Sequence, residues 1–416
     1  MTDRAAGRVL GGLEAVRAWQ EDLYRDLHAH PELPHEERRT ASRIAERLRK
    51  TGCDVHEGVG GSGVVAIDRN GDGPTVLLRA DMDALPVREE TALPYASTRT
   101  TEDGTPVMHA CGHDVHVTCL LGAVTLMTQT RDQWSGTLVA VFQPAEETAD
   151  GARAMVEWGL VELVGQADVA MAQHVLPFAA GRIGTRPGPV LSAADSMRII
   201  LHGRGAHGSM PQAAVDPVVL AASVVVRLQT VVAREVAPGD TAVLTVGSIQ
   251  AGTKSNVIPD RAVLLLNVRT YAENTRSAVL GAIERIVRAE CEASRCPKEP
   301  EFELFDRYPL TDNDVDVTAR VGDAFTHYFG DLAGELPQQS ASEDFSDIPA
   351  ALGTPYTYWG IGGIDAETFR AAEEAGRVAQ DIPVNHSAWF APVIQPTLDT
   401  GTSALVVAAL AWLARP

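Results

Sequence analysis

A change of rhythm near residue 190 constrains the fold more than any other feature of the chain. Before it, short β-rich runs at residues 63–67, 75–79, 137–142 and 169–173 are separated by helical stretches, notably 115–128 and 152–159. Parallel neighbouring strands need a crossover, usually a helix, so this alternation predicts an α/β domain with a mostly parallel sheet. After it come a strand (197–201), a long helix (216–235), two strands (241–249 and 261–269), a helix (274–293) and a strand (301–305). That is β-α-β-β-α-β, the ferredoxin-like order. The expected organisation is a first domain begun at 1–189, a satellite inserted at 190–306, and the first domain resumed over 307–416. Val16, Trp19, Leu23 and Leu27 recur every three to four residues, so an amphipathic helix opens the chain, with a second expected at 39–49.

At 416 residues the chain is too long for one ordinary core. Its formal net charge of −20 argues against nucleic acid, whose phosphates want a basic face. The five cysteines, Cys53, Cys111, Cys119, Cys291 and Cys296, are odd in number and scattered, which fits reduced thiols in a cytoplasm better than a disulfide framework. The charged N-terminal stretch has no apolar run of a signal peptide. The longest apolar run, residues 404–414, is about half a membrane span and reads as a buried helix. Neither secretion nor a membrane partner is expected.

Several motifs fail on context. Gly58-Val-Gly-Gly-Ser-Gly63 matches a dinucleotide fingerprint but precedes a strand instead of following one. No G-x-S-x-G elbow occurs, so the common serine-hydrolase route has no signature.

The densest polar cluster is Met108-His-Ala-Cys-Gly-His-Asp-Val-His116. A thiolate and an imidazole two residues apart can reach one metal from an irregular loop, and Gly112 lets the backbone turn between them. The alternative is a polar loop capping the helix that follows. Gln143-Pro-Ala-Glu-Glu147 follows an apolar strand, where open α/β sheets place ligands. On an extended segment Glu146 and Glu147 would point opposite ways, one to a metal and one to a substrate. A solvated acidic pair opening a helix is the competing reading. Arg79-Ala-Asp-Met-Asp83 ends another strand, with Asp81 and Asp83 on one side. One of them would orient a ligating histidine, or both would serve a turn. His174 at a strand end, His386 in a loop, and His207 in the turn Gly203-Arg-Gly-Ala-His-Gly-Ser209 complete the set.

Taken in order, these motifs resemble the metallopeptidase family of hippurate hydrolases, indole-acetyl-amino-acid hydrolases and N-acyl-amino-acid amidohydrolases. The likeness runs from Leu27-His-Ala-His-Pro-Glu32 through Arg79-Ala-Asp-Met-Asp83, Met108-His-Ala-Cys-Gly-His-Asp114, Phe142-Gln-Pro-Ala-Glu-Glu147, Ala172-Gln-His174, Gly205-Ala-His-Gly208, Asn256-Val-Ile-Pro259 and Ser342-Glu-Asp-Phe345 to Asn385-His386. Residues 228–236 look most like the branch of Nα-acyl-glutamine aminoacylases. The resemblance implies a two-metal hydrolase that releases the acyl group from N-acyl-L-amino acids. A dipeptidase or carboxypeptidase of the same fold is the alternative. It further implies that Cys111 bridges two divalent ions, His113 and His174 complete one site, and Glu147 and His386 the other. Glu146 would be the general base and Asp83 would brace a ligand. The satellite would form a homodimer, His207 reaching the partner's active site while Asn256 and Arg269 hold the substrate. Thiolate and imidazole favour zinc by softness, and manganese, cobalt or nickel suit such a site as well.

Overall fold

The computed structural model describes residues 2–415. The chain divides into two units. Among the described residues the first comprises 2–190, 312–338 and 344–415, and the second 191–311 and 339–343.

In the first unit the apolar runs form an eight-stranded sheet. At its centre Thr75–Asp81 pairs parallel with both Gly136–Gln143 and Val169–Ala179, which in turn pairs parallel with Tyr356–Ile364. Antiparallel pairing is confined to one flank, Asp54–Val59 with Gly63–Asn70 and Gly63–Asn70 with Gly136–Gln143, and to the short strand Ile183–Thr185 on Tyr356–Ile364. The central strands are buried almost throughout. That explains why they read as continuous apolar runs and not as alternating ones. Helix His113–Gln129 packs against Ile394–Leu413 and behind Thr75–Asp81. It is apolar nearly all round, as a helix enclosed by its own domain must be.

The second unit has the expected ferredoxin-like order. Its sheet runs Ala242–Ala251, Arg261–Thr270, Ala193–His202, Glu301–Tyr308, antiparallel throughout. Arg261–Thr270 alternates strictly, burying Ala262, Leu264, Leu266 and Val268. Helices Pro217–Arg234 and Glu273–Ala293 meet that face through Leu220, Val224, Leu228, Ile283 and Val287. Asp216 caps the first of them, accepting from the amides of Val218 and Val219, with Pro217 at the first helical position. Pro217–Arg234 is long and apolar enough to span a membrane by composition, but one of its faces belongs to this core.

Two local expectations are corrected. His174 does not end its strand, because Val169–Ala179 continues five residues past it, held by parallel pairing with Tyr356–Ile364. Glu146 and Glu147 do not lie on an extended segment. They occupy a 3-10 turn, Glu146–Thr148, between Ala145 and Ala149, which both have positive φ (52° and 58°). The tight turn, not strand alternation, sends their side chains apart.

Candidate metal centre

Gly112 sets the geometry of the cysteine–histidine loop. Its φ is +83°, and a Cβ there would meet Val175 Cγ1 at 2.3 Å, so only glycine fits. The bend places Cys111 just before the N-terminus of His113–Gln129, where the helix dipole favours a thiolate.

Four elements of the first unit bring side chains to this point. From the helix comes His113. Its Nδ1 lies 3.2 Å from Asp83 Oδ1, while its Nε2 is buried and has no hydrogen-bond partner. The turn after Gly136–Gln143 supplies Glu147, whose amide donates to Asp83 Oδ2 at 2.9 Å. Glu147 Oε1 is likewise buried without a hydrogen bond. It lies 3.9 Å from His113 Nε2 and 3.2 Å from His386 Nε2. The strand Val169–Ala179 supplies His174. It donates from Nδ1 to the carbonyl of Val175 (2.8 Å), leaving Nε2 directed at Cys111 Sγ, 3.4 Å away. The loop before the last helix supplies His386, at φ +69°, whose amide N–H donates a hydrogen bond to Ala110 O (2.8 Å). Strain of that kind persists where the surroundings over-determine it. Glu146 is buried beside this group, and its charge bears on Cys111.

Cys111, His113, Glu147, His174 and His386 therefore converge, and Glu146 and Asp83 lie against them. The other three expected residues belong to the second unit. His207 is exposed and bonded through Nδ1 to Ser209 Oγ (2.7 Å), on a short strand paired with Val257–Ile258. Asn256 immediately precedes that pairing strand, its carbonyl accepting from Gly208 N. Arg269 donates to Ser340 O (2.7 Å) and Ser342 Oγ (3.1 Å).

Electrostatics favours a cation here. Burial alone would lower the His113 pKa, but Asp81, then Asp83 and Glu147, raise it to about 10. Burial, followed by the charges of Glu147, Glu146 and Asp81, pushes the Cys111 thiol far up. A buried excess of carboxylate beside a thiol and free imidazole nitrogens is the donor chemistry of a transition-metal site, and a divalent ion would hold Cys111 as its thiolate. Two buried ligand atoms that make no hydrogen bond, His113 Nε2 and Glu147 Oε1, are ones such an ion would satisfy. The residues present fit the group.

Sequence reasoning left His116, Arg79 and Asn385 without a role. His116 lies within reach of Asp81, His113 and His174 and has the look of a ligand. Its nitrogens are both used: Nε2 accepts from Val175 N (2.9 Å), so Nδ1 carries the proton and donates to Asp81 Oδ1 (2.5 Å). Its ring packs 4.4 Å from that of His174. Asp81 is fixed from the other side by the fully buried Arg79, 2.6 Å away, which also pairs with Asp344 (3.2 Å) and Gln143 (2.8 Å). Burial would raise the Asp81 pKa, yet His113, His116 and Arg79 hold it well below the usual range. Asn385 donates to the carbonyls of Cys111 (3.2 Å) and Val175 (3.1 Å), tying the loop to the strand. The spacing Asp114-x-His116 and the pair Asn385-His386 were the available signals.

The arrangement is that of a metallohydrolase built on the C-terminal ends of a mostly parallel sheet. Residues 77–389 match the model of peptidase family M20/M25/M40, and the chain belongs to that family of two-metal hydrolases acting on amide bonds. It is 34% identical to an N-acetylcysteine deacetylase of Bacillus subtilis, over 91% of this chain and 97% of that one. It is 38% identical to thermostable carboxypeptidase 1 of Saccharolobus solfataricus, over 74% and 77%. The crystal structure of the Bacillus subtilis YXEP protein, described as a dinuclear metal binding peptidase from the M20 family, superposes with a TM-score of 0.77. That match covers 95% of this chain and 98% of that one at 28% identity.

Proposed function

We propose that this protein hydrolyses the amide bond of N-acyl-L-amino acids, giving a carboxylic acid and a free amino acid. The observation that carries the reading is the convergence of Cys111 Sγ, His174 Nε2, His113 Nε2, Glu147 Oε1 and His386 Nε2 beside the buried Glu146. Cys111, His113, His174, Glu147 and His386 would hold two divalent ions. Zinc suits this donor set by softness, with manganese, cobalt or nickel as the other candidates. When bound, such ions would supply Lewis acidity for the acyl carbonyl and for the attacking water.

The remaining work falls to the chain's own groups. Glu146 takes a proton from the attacking water and returns it to the departing amine, the two halves of general acid–base catalysis. Asp83 keeps His113 in the tautomer whose Nε2 faces the ion and holds the Glu147 turn in place. In the second unit, Arg269 and Asn256 bind the substrate carboxylate or carbonyl, the planar guanidinium pairing with both oxygens of a carboxylate. His207 stabilises the oxyanion in the partner's active site.

The dimer rests on a further observation. The strand Ala242–Ala251 is an edge of the second unit's sheet and exposes Val243 and Ile249, while the neighbouring helix exposes Val218, Val219 and Val226. An open apolar edge of that kind is normally covered.

Cleavage of dipeptides or C-terminal residues is the second reading, favoured by the identity to a carboxypeptidase. One experiment separates them: elemental analysis of the purified protein coupled to an amine-release screen over N-acyl amino acids and dipeptides. Release from N-acyl amino acids in large excess over dipeptides supports the first reading. The reverse order establishes the peptidase, and inactivity of metal-loaded protein on both sets refutes each.

A further inference from the structure

Helix Glu273–Ala293 ends in a specific backbone motif. Ser294 is its last half-helical residue, and Arg295 turns into the left-handed region at φ +56°. The amide of Arg295 then bonds Glu292 O, and the amide of Cys296 reaches back five residues to Cys291 O, both at 3.0 Å. This pair of bonds is a Schellman cap, which brings the side chain two positions past the cap onto the one three positions before it. That contact is ordinarily between two apolar side chains. Here both are cysteines, and Cys296 packs against the buried cluster that includes Cys291. Cys291 is buried and Cys296 half-buried.

We propose that Cys291 and Cys296 form a reversible dithiol–disulfide modification site, oxidised by small-molecule disulfides. The backbone bonds hold the two residues against each other in the folded state, which favours closing the bridge without unfolding the helix end. Cys296, the more accessible, reacts first. Its thiolate, having lost a proton to water, attacks one sulfur of the small disulfide and expels a small thiolate. The Cys291 thiolate then attacks the Cys296 sulfur of the mixed disulfide and expels the second. Two protein thiols lose two hydrogens and one small disulfide becomes two thiols. Burial pushes the Cys291 thiol up to about 12, so the closing step is slow near neutrality and quickens as pH rises. The bridge ties the end of the helix to the segment leading into Glu301–Tyr308. The site is remote in sequence from Cys111 and owes nothing to the hydrolytic reading.

The test uses the full-length, metal-loaded protein, folded by circular dichroism, incubated with oxidised glutathione at mildly alkaline pH, acid-quenched, alkylated and digested with trypsin. Cleavage after Arg295 puts the two cysteines on separate peptides, residues 289–295 and 296–298, so only a bridge keeps them together. The expected result is a linked pair two hydrogens lighter than its parts and separated by reduction, in most of the chains. With Cys291→Ser, Cys296 should instead retain a stable glutathione adduct. Three results overturn the proposal: a persistent glutathione adduct on Cys296 of the unaltered protein, full alkylation of both cysteines, or linkage that forms only after denaturation.

Discussion

Asp83 Oδ1 stands 3.2 Å from His113 Nδ1, while the other oxygen of the same carboxylate accepts the amide of Glu147 at 2.9 Å. One buried side chain thus braces a helix-borne donor and a turn-borne donor of the proposed centre at once. Asp83→Ala should weaken metal binding about 10–100-fold, the usual cost of losing such a partner. Chelator competition measures this directly, and an unchanged affinity would remove Asp83 from the role.

Glu146→Gln preserves shape and removes the base. Metal content and melting temperature should stay near those of the parent, while kcat falls about 10²–10⁴-fold. Comparable turnover in a fully loaded Gln variant would exclude Glu146 as the proton carrier.

Gly112→Ala places a methyl 2.3 Å from Val175 Cγ1 at a φ of +83°. The backbone strain alone costs about 1–3 kcal/mol. A lower melting temperature should accompany weakened metal retention, because Cys111 and His113 flank the bend. Wild-type values for both would show that the loop relaxes freely.

His207→Ala subunits mixed with Glu146→Gln subunits test action across a dimer. Randomly assorted dimers should recover about a quarter of the parent activity, since half are mixed and one of two sites in each is intact. No recovery in verified heterodimers would place His207 in its own subunit's site or outside catalysis.

The buried His28 lies 2.7 Å from Asp114 Oδ2 and 3.1 Å from Glu89 Oε1. Burial works against its charge, but the two carboxylates prevail and raise its pKa to about 9. An unfolded histidine titrates near about 6.5, so the imidazolium stabilises the fold fully below that pH and ceases to do so as pH rises through about 9. The span corresponds to about 3 kcal/mol. Asp114 and Glu89 are lowered, so their share is present above the ordinary carboxylate range and is lost towards acid. Melting temperatures of the metal-loaded protein between pH 6 and pH 9.5 should fall more steeply than those of His28→Gln. Parallel curves would show that His28 is neutral.

Much of this architecture was legible from periodicity. The alternating pattern of 261–270 identifies a half-buried strand, and the continuous runs of the large sheet identify fully buried ones. Hidden from local reading were elements whose boundaries depend on distant pairing. Val169–Ala179 extends past His174 only because Tyr356–Ile364 lies beside it, and the turn at Glu146–Thr148 depends on two alanines forced to positive φ.

By itself the sequence determined which donors exist and roughly which elements carry them: a thiol, several imidazoles and paired carboxylates at the ends of apolar runs. Tertiary structure alone decided which of those groups remain available. His116 and His174 are the same side chain a few ångströms apart. One spends both nitrogens on Asp81 and Val175, and the other keeps Nε2 for the centre. An imidazole's role is set by what each nitrogen meets, and those partners arrive from strands far along the chain.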